Sequence, residues 1–534
     1  MLKQIKYLLL VVILAAVLRF VNLSFNPPAL NWDEISHGYN AYSVLKTGHD
    51  EQGKKLPVIF QAYGDYKLPV YIYLTAFSEL LLGLTPIAVR LPSALAGITT
   101  VIFTYLLVKK LFGKEKLALL SAFLVAIEPW SLFLSRGAFE ANLALALIIA
   151  GVYFFTTGNK LVSFVLLGLS LWTYNSARVF VPLLLISLII IYKINVKKTV
   201  IPVLLFFVFF LPMIYQLFQV AGVARYEKVA ILDEGGINKI LDIRSKINLP
   251  IFLPRLISNK VTYFGAVFVK NYLSHFSPSF LFFKGGSNYQ FNIPNRGLIY
   301  LINLPFFILG LIYLIKNRKE KSCQLILGWL LFSPIASSLT REAPQTLRSI
   351  VMLPTPMIIT ALGFSLIKEK KWISIGYVFI LSLFLGNYLN VYFKNYKTNY
   401  SWSWQYGYKE AANYIKQNYD KYDKIIITKK YGEPHEFLLF YLGYDPEKYR
   451  NDSNLIRFYQ SGWYWVDRFD KFYFVNDWQV KDMKLESGGT VDCSPFTVHC
   501  LLISSPDNSP NGWLNIYRIN FLDGKPAFEM YENK

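Results

Sequence analysis

Acidic residues are scarce in this 534-residue chain: 34 Asp and Glu stand against 55 Lys and Arg, for a formal net charge of +21. Such an excess invites a nucleic-acid reading, but the positive residues are not gathered on one domain. They punctuate the hydrophobic runs, as membrane topology demands. Cysteine is rarer still, and Cys323, Cys493 and Cys500 form no metal-binding pattern. Cys323 falls in an apolar run, while Cys493 and Cys500 can pair if the polar tail that holds them faces an oxidising compartment. His37 has no second histidine at ligand spacing; no metal ligand and no cofactor are assigned. The tail carries no Gly-rich phosphate loop and no triad spacing. There is no repeat of fixed period and no low-complexity segment, and the halves lack the paired broken helices of an inverted-repeat transporter. The basic start followed by an apolar run resembles a signal peptide, yet the run reaches Leu23 without a small-residue cleavage site, so an uncleaved first span is expected.

What the chain has instead is apolar surface: 54% of its residues are hydrophobic and 17% aromatic. That composition excludes a soluble globular enzyme and a disordered chain alike. Runs able to cross about 30 Å of hydrocarbon fall at 7–23, 87–108, 117–134, 142–157, 161–175, 179–192, 199–217, 297–315, 322–339, 350–367 and 372–393. Segment 68–84 is ambiguous and decides the topology. If it does not cross, the lysine-rich segments at 109–116, 160, 193–198, 316–321 and 368–371 share the cytoplasmic face with Lys3 and Lys6, seventeen Lys/Arg against three Glu. The positive-inside bias therefore predicts an interfacial or re-entrant helix at 68–84 and eleven spans, with the N-terminus inside and the C-terminus outside the plasma membrane.

The outer face then receives 23–84, 135–141, 174–178, 218–296, 340–349 and everything after about residue 395. Segment 35–45 reads as a short amphipathic helix lying on the membrane, apolar at Ile35, Tyr39, Tyr42 and Leu45. The tail alternates helix and strand: helices at 408–419 and 435–444, strands at 424–428, 463–466, 472–475 and 499–503. This predicts a polytopic helical membrane domain at 1–394 and a small extracytoplasmic α/β domain at 395–534, structural or acceptor-docking in role.

Nearly all the unusual polar residues fall on the outer side. The carboxylates are Asp33, Glu34, Asp65 and Glu140; the cations are Lys67, Arg136, Arg178, Arg341 and Arg348, with His37 and His275 near in sequence. A carboxylate base beside fixed positive charge at a membrane surface suits displacement at a sugar carbon whose leaving group is a lipid-linked phosphate. The carboxylate takes a proton from the acceptor, and arginine and lysine stabilise the departing phosphate. Singly, these residues have plainer readings. Arg90 caps its span by snorkelling, Arg178 anchors an interface, and Asp65 makes a turn with Gly64. Trp130, Trp172, Trp402 and Trp404 read as aromatic-belt residues and His37 as a solvated helix-face histidine.

The order Trp32-Asp33-Glu34, then Gly64-Asp65-Tyr66-Lys67-Leu68-Pro69, then Arg90-Leu91-Pro92-Ser93, then Ser135-Arg136-Gly137-Ala138-Phe139-Glu140 resembles the GT-C fold glycosyltransferases. Within them it looks most like the protein O-mannosyltransferase and lipid A aminoarabinose transferase group, glycosyltransferase family 39 and relatives. The similarity covers roughly 7–160 and reappears around Arg341-Glu342-Ala343-Pro344-Gln345-Thr346-Leu347-Arg348. It implies a metal-independent, inverting enzyme that takes a sugar from a polyprenyl-phosphate donor to a lipid, glycan or protein acceptor, with no nucleic-acid partner. Carried over by position, Asp33 matches the first-loop acidic residue, proposed there as base, and Glu34 its companion. Glu140 occupies the second-loop acidic position, where many members have Asp, and Lys67 a basic position near the donor phosphate, followed here by Leu68-Pro69 instead of the usual Pro-Pro. Two rivals remain: a ligase moving a whole glycan from a diphosphate carrier, and a lipid flippase or transporter, which should place charge near the bilayer midplane.

Overall fold

The structure, a computed structural model, describes residues 2–194, 199–246, 252–367, 371–494 and 497–533. Lys197, Lys198, Lys368 and Lys370 of the lysine-rich loops lie outside the described residues. The chain divides into two compact units. The first comprises Met1–Val21, Ser93–Ser135 and Phe139–Tyr388, and the second Asn22–Pro92, Arg136–Ala138 and Leu389–Lys534.

The molecule is mostly helical, and its helices are apolar. Among the described residues four are long and apolar enough to cross a membrane: Pro86–Phe112, Glu140–Thr157, Val200–Leu217 and Lys371–Asn399. Others, such as Lys160–Leu171 and Ala177–Tyr192, are apolar but shorter. The run 117–134 is broken into Glu115–Ile127 and Pro129–Leu134, because Pro129 has no N–H to continue the first helix. The first unit packs by close helix crossings. A Cβ at Gly310 would lie 1.8 Å from the Ile359 carbonyl oxygen, so glycine lets helices Leu304–Lys316 and Thr355–Ser365 touch backbone to backbone.

Buried charge staples this unit. Arg19 is fully buried, and its guanidinium donates to Ala126 O at 3.1 Å and Ser131 Oγ at 3.0 Å, across the break before Pro129. Glu128, at that break, is buried too; it accepts the Tyr300 N–H at 2.8 Å and a hydrogen bond from Asn303 Nδ2. Trp130, expected in an aromatic belt, is instead buried, donating from Nε1 to Thr346 O at 3.1 Å.

The second unit begins with helix Trp32–Thr47. Asn31 and Glu34 close a capping box on it: Asn31 Oδ1 accepts the Glu34 N–H at 2.9 Å and Glu34 Oε2 the Asn31 N–H at 3.1 Å. The helix does not lie open on a surface. Most residues from Glu34 to Val44 are buried, since it packs against helices Pro69–Leu82, Pro434–Leu442 and Pro446–Arg450. Gly38 permits the Pro434–Leu442 contact, for a Cβ there would meet Phe440 Cε2 at 2.5 Å. His37, expected to be solvated, is buried 5.1 Å from the Tyr71 ring. Helix Pro69–Leu82 has 14 residues, about 21 Å at 1.5 Å per residue, short of the roughly 30 Å of a bilayer core.

The unit's strands are β1 (Phe60–Ala62), β2 (Asp65–Lys67), β3 (Lys424–Thr428), β4 (Ile456–Gln460), β5 (Trp463–Phe469), β6 (Phe472–Val475), β7 (Cys500–Ser504), β8 (Leu514–Asn520) and β9 (Pro526–Glu532). β1 and β2 form a hairpin, and the other seven form one mixed sheet in the order β4-β5-β6-β3-β7-β9-β8. β3 runs parallel to both its neighbours, β6 and β7, so its Ile425-Ile426-Ile427 run is buried rather than alternating. Cys493 and Cys500 are joined by a disulfide beside the core of Ile426, Val475 and Leu502.

Candidate functional site

Asp33 and Glu34 are neighbours on a helix, so their side chains leave it about 100° apart. That separation gives them opposite surroundings. Glu34 is fully buried against Arg90 in a two-pronged ion pair, Nε to Oε1 at 2.8 Å and Nη2 to Oε2 at 2.9 Å, with neither side chain exposed. Glu34 Oε1 also accepts the Ala138 N–H at 2.8 Å. The rest of the Arg90 fork donates to the Leu23 and Pro27 carbonyls, both at 2.9 Å, and to Ala29 O, and its guanidinium lies 5.8 Å from the Trp404 ring. Arg90 therefore does not snorkel, as the sequence suggested. One buried ion pair fixes the start of the Asp33 helix, the 23–29 segment and the 136–138 segment together.

Asp33 faces outward. Its side chain is 40% exposed and pairs with Lys67, itself 11% exposed. Lys67 reaches it from β2, opposite Phe60 of β1. The hairpin is tied to the helix start, as the Tyr63 hydroxyl donates to the Trp32 carbonyl at 2.6 Å and Gln405 Oε1 accepts the Trp32 N–H at 3.2 Å. Asp65 opens β2 and accepts the Tyr66 N–H at 2.8 Å through Oδ1. Arg136 is buried, donating from Nη2 to Asn26 O at 2.9 Å and from Nε to the Tyr392 hydroxyl at 3.3 Å, over the Tyr392 and Phe393 rings. The second unit thus gathers Asp33, Glu34, Lys67, Arg90 and Arg136, with Asp33 the most solvent-facing of its two neighbouring carboxylates.

The remaining candidates belong to the first unit. Glu140 is the first residue of Glu140–Thr157 and half-buried, where the helix dipole favours a carboxylate; the helix packs against the 350–352 turn. Arg178 is mostly buried, donating to Gln216 Oε1 at 2.6 Å and Leu171 O at 3.1 Å. Arg341 is largely exposed and pairs with Asp233 at 2.7 Å. Arg348, 18% exposed, donates to Thr340 Oγ1 at 2.9 Å and lies 3.7 Å from Glu342. His275 is buried between Asn271 O and Ser337 Oγ, each 2.8 Å from a ring nitrogen. A cavity of about 270 Å³ in this unit is lined by Phe283, Leu301, Phe384 and Tyr388, with Arg296 among its walls. No cluster of His, Cys, Asp and Glu able to hold a metal ion occurs among the described residues.

The family described as dolichyl-phosphate-mannose-protein mannosyltransferase matches residues 67–216. That stretch holds Lys67, Arg136, Glu140 and Arg178 and begins after Asp33 and Glu34. No curated protein matches the chain. Among solved structures, ArnT from Cupriavidus metallidurans bound to undecaprenyl phosphate is similar over 99% of this chain and 98% of its own, at 13% identity and a TM-score of 0.56. The same protein in the apo state gives 11% identity and a TM-score of 0.54 over the same shares. The archaeal oligosaccharyltransferase AglB from Archaeoglobus fulgidus, in complex with an inhibitory peptide and a dolichol-phosphate, is 12% identical with a TM-score of 0.48; the match covers 82% of this chain and 63% of that one. The fold so defined is that of a GT-C membrane protein. The resemblance to the protein O-mannosyltransferase and aminoarabinose transferase group is borne out by the family match and the ArnT likeness.

Proposed function

We propose that this protein is an integral-membrane glycosyltransferase that moves one sugar, with inversion, from a polyprenyl-phosphate carrier to an acceptor on the outer face of the plasma membrane. The observation that carries the reading is the pair made by Asp33 and Lys67: a partly exposed carboxylate held beside a cation at the start of a buried helix. Asp33 is the base that takes the acceptor's proton, and Lys67 meets the phosphate as it departs. Glu34 is a positioning residue, because its oxygens are occupied by Asn31, Arg90 and Ala138. Glu140 orients acceptor or donor. Arg136, Arg178, Arg341 and Arg348 are the further candidates for the phosphate. Residues 395–534 form the extracytoplasmic α/β part, with eleven spans before it and the N-terminus in the cytoplasm.

Two measurements test this. Cysteines placed at Lys110 and Lys319 should resist an impermeant thiol reagent in intact cells, while one at Asn451 is labelled; labelling at Lys110 would overturn the orientation. The second concerns Arg348, whose guanidinium is partly exposed. If it holds the departing phosphate, Arg348→Lys loses the two-pronged geometry and costs about 1.5–3 kcal/mol, a rate drop of roughly tenfold or more. Unchanged steady-state rates for both Arg348→Lys and Arg348→Ala would exclude Arg348 as a phosphate partner and make Arg178 and Arg136 the next to test.

A further inference from the structure

The seven-stranded sheet of the second unit switches direction at β3. Its neighbours β6 and β7 both run parallel to it, one on each side. The chain leaves β3 through helix Pro434–Leu442, which covers one face of the sheet, where the His435 and Phe474 rings lie 6.2 Å apart. It leaves β6 through 480–491, whose Val480, Met483, Leu485 and Val491 pack on Ile426, Val475 and Leu502 of the other face. Connections that part to opposite faces open a crevice beyond the carboxyl ends of the strands, and in open α/β sheets that crevice is where ligands bind. Three loops meet there. Thr428, the last residue of β3, donates from Oγ1 to Asp477 Oδ1 at 2.9 Å, and Lys430 Nζ lies 3.4 Å from Asp477 Oδ2. Asn508, from the loop after β7, donates from Nδ2 to the Asp477 carbonyl at 2.7 Å. Asp477 is 26% and Lys430 43% exposed, and Trp478, next in the chain, is 77% exposed.

The loop after β3 runs from this cluster to the candidate base. Gly432, two residues beyond Lys430, has φ +122° and packs on Trp32; a Cβ there would sit 3.0 Å from Trp32 Cε3. Two residues of chain reach at most about 7 Å, and Asp33 follows Trp32. The hairpin that bears Lys67 is tied to the same sheet, as the Tyr464 N–H donates to the Tyr63 carbonyl at 2.7 Å. We propose that the crevice beyond β3, β6 and β7 is an acceptor subsite that holds a sugar of a glycan and so presents another hydroxyl of that glycan to Asp33. The inference rests on the transfer proposed above and names the class of its acceptor. An ammonium gives three hydrogen bonds, and an amide that spends its nitrogen keeps its oxygen as acceptor. Lys430 and Asn508 therefore set donors and an acceptor side by side, as neighbouring sugar hydroxyls require, and Trp478 supplies an apolar ring for the C–H face of a sugar. Other ligands fit less well. The turn Lys429-Lys430-Tyr431-Gly432-Glu433 has one glycine where a nucleotide phosphate needs several. A peptide acceptor adds to the edge of a sheet, and the edges here are β4 and β8, whereas the crevice opens at the three central strands.

The test is binding of the full-length protein in detergent to an array of defined oligosaccharides and to an array of unmodified peptides. Wild type, Trp478→Ala, Lys430→Ala and, as a control on the far edge strand β8, Tyr517→Ala are compared. The best-retained oligosaccharide is then the acceptor in steady-state transfer from a polyprenyl-phosphate-sugar donor. Both subsite side chains are well exposed, so their removal should leave the fold intact. Wild type should retain oligosaccharides and not peptides. Trp478→Ala and Lys430→Ala should each weaken that binding by about tenfold or more and raise the acceptor KM alike, with the donor KM steady; Tyr517→Ala should bind as wild type. Retention of peptides alone, of nothing, or of oligosaccharides equally by wild type and both subsite variants overturns the proposal, as does equal loss in Tyr517→Ala. Oligosaccharide binding that depends on Trp478 and Lys430 in a protein that transfers no sugar would refute the transfer reading and leave the subsite standing. Transfer with an unchanged acceptor KM in both variants would refute the subsite alone.

Discussion

Asp33→Asn is expected to lower transfer about 10²–10⁴-fold, the usual contribution of a positioned general base, with thermal stability nearly unchanged. The side chain is 40% exposed and its partner Lys67 sits at the edge of a two-stranded hairpin, so the amide can occupy the same space and only the basic oxygen is lost. KM for the donor should change little, because the base acts on the acceptor. A near-normal rate in a folded Asp33→Asn protein would remove Asp33 as the base.

Glu34→Gln should behave in the opposite way. Its charge partner Arg90 has no exposure at all, and removing one member of a buried ion pair leaves an uncompensated charge at a cost of about 3–5 kcal/mol. The expected result is a large fall in melting temperature in detergent, with low activity that follows the lost fold. Arg90→Met should be as damaging alone, and the double variant Glu34→Leu/Arg90→Met should recover part of the loss, since it leaves no buried charge. If Glu34 instead touches substrate, Glu34→Gln keeps its stability and loses only turnover.

The contrast between these neighbours marks where the sequence stopped being legible. Their adjacency and their place after the first apolar run were plain, and so was the resemblance of the surrounding segments to the GT-C enzymes. Which of the two faces solvent was not, because that depends on Arg90, 56 residues away. An arginine at the end of an apolar run reads equally well as an interfacial anchor. Nothing local tells that its fork closes on Glu34 and three carbonyls. His37 and Trp130 depart from their expected exposure for the same reason: long-range packing buries them.

In the tail, local pattern served well where strands are apolar. The observed β3 and β6 coincide with the segments read from sequence, and helices Tyr408–Gln417 and Pro434–Leu442 end within two residues of the expected limits. β4, β8 and β9 escaped notice. β4 and β8 are edge strands, and charged or exposed residues such as Arg457, Gln460 and Arg518 interrupt their apolar alternation.

The most direct measurement of the central claim is transfer by the purified protein in lipid vesicles, given a panel of radiolabelled polyprenyl-phosphate sugars and diphosphate-linked glycans and extracted membrane acceptors, with Asp33→Asn run alongside. The expected result is label moved to an acceptor with free polyprenyl phosphate released, by wild type and not by Asp33→Asn. Label moved only from diphosphate-linked glycan donors, or movement of intact lipid across the vesicle with no sugar transferred, would contradict it.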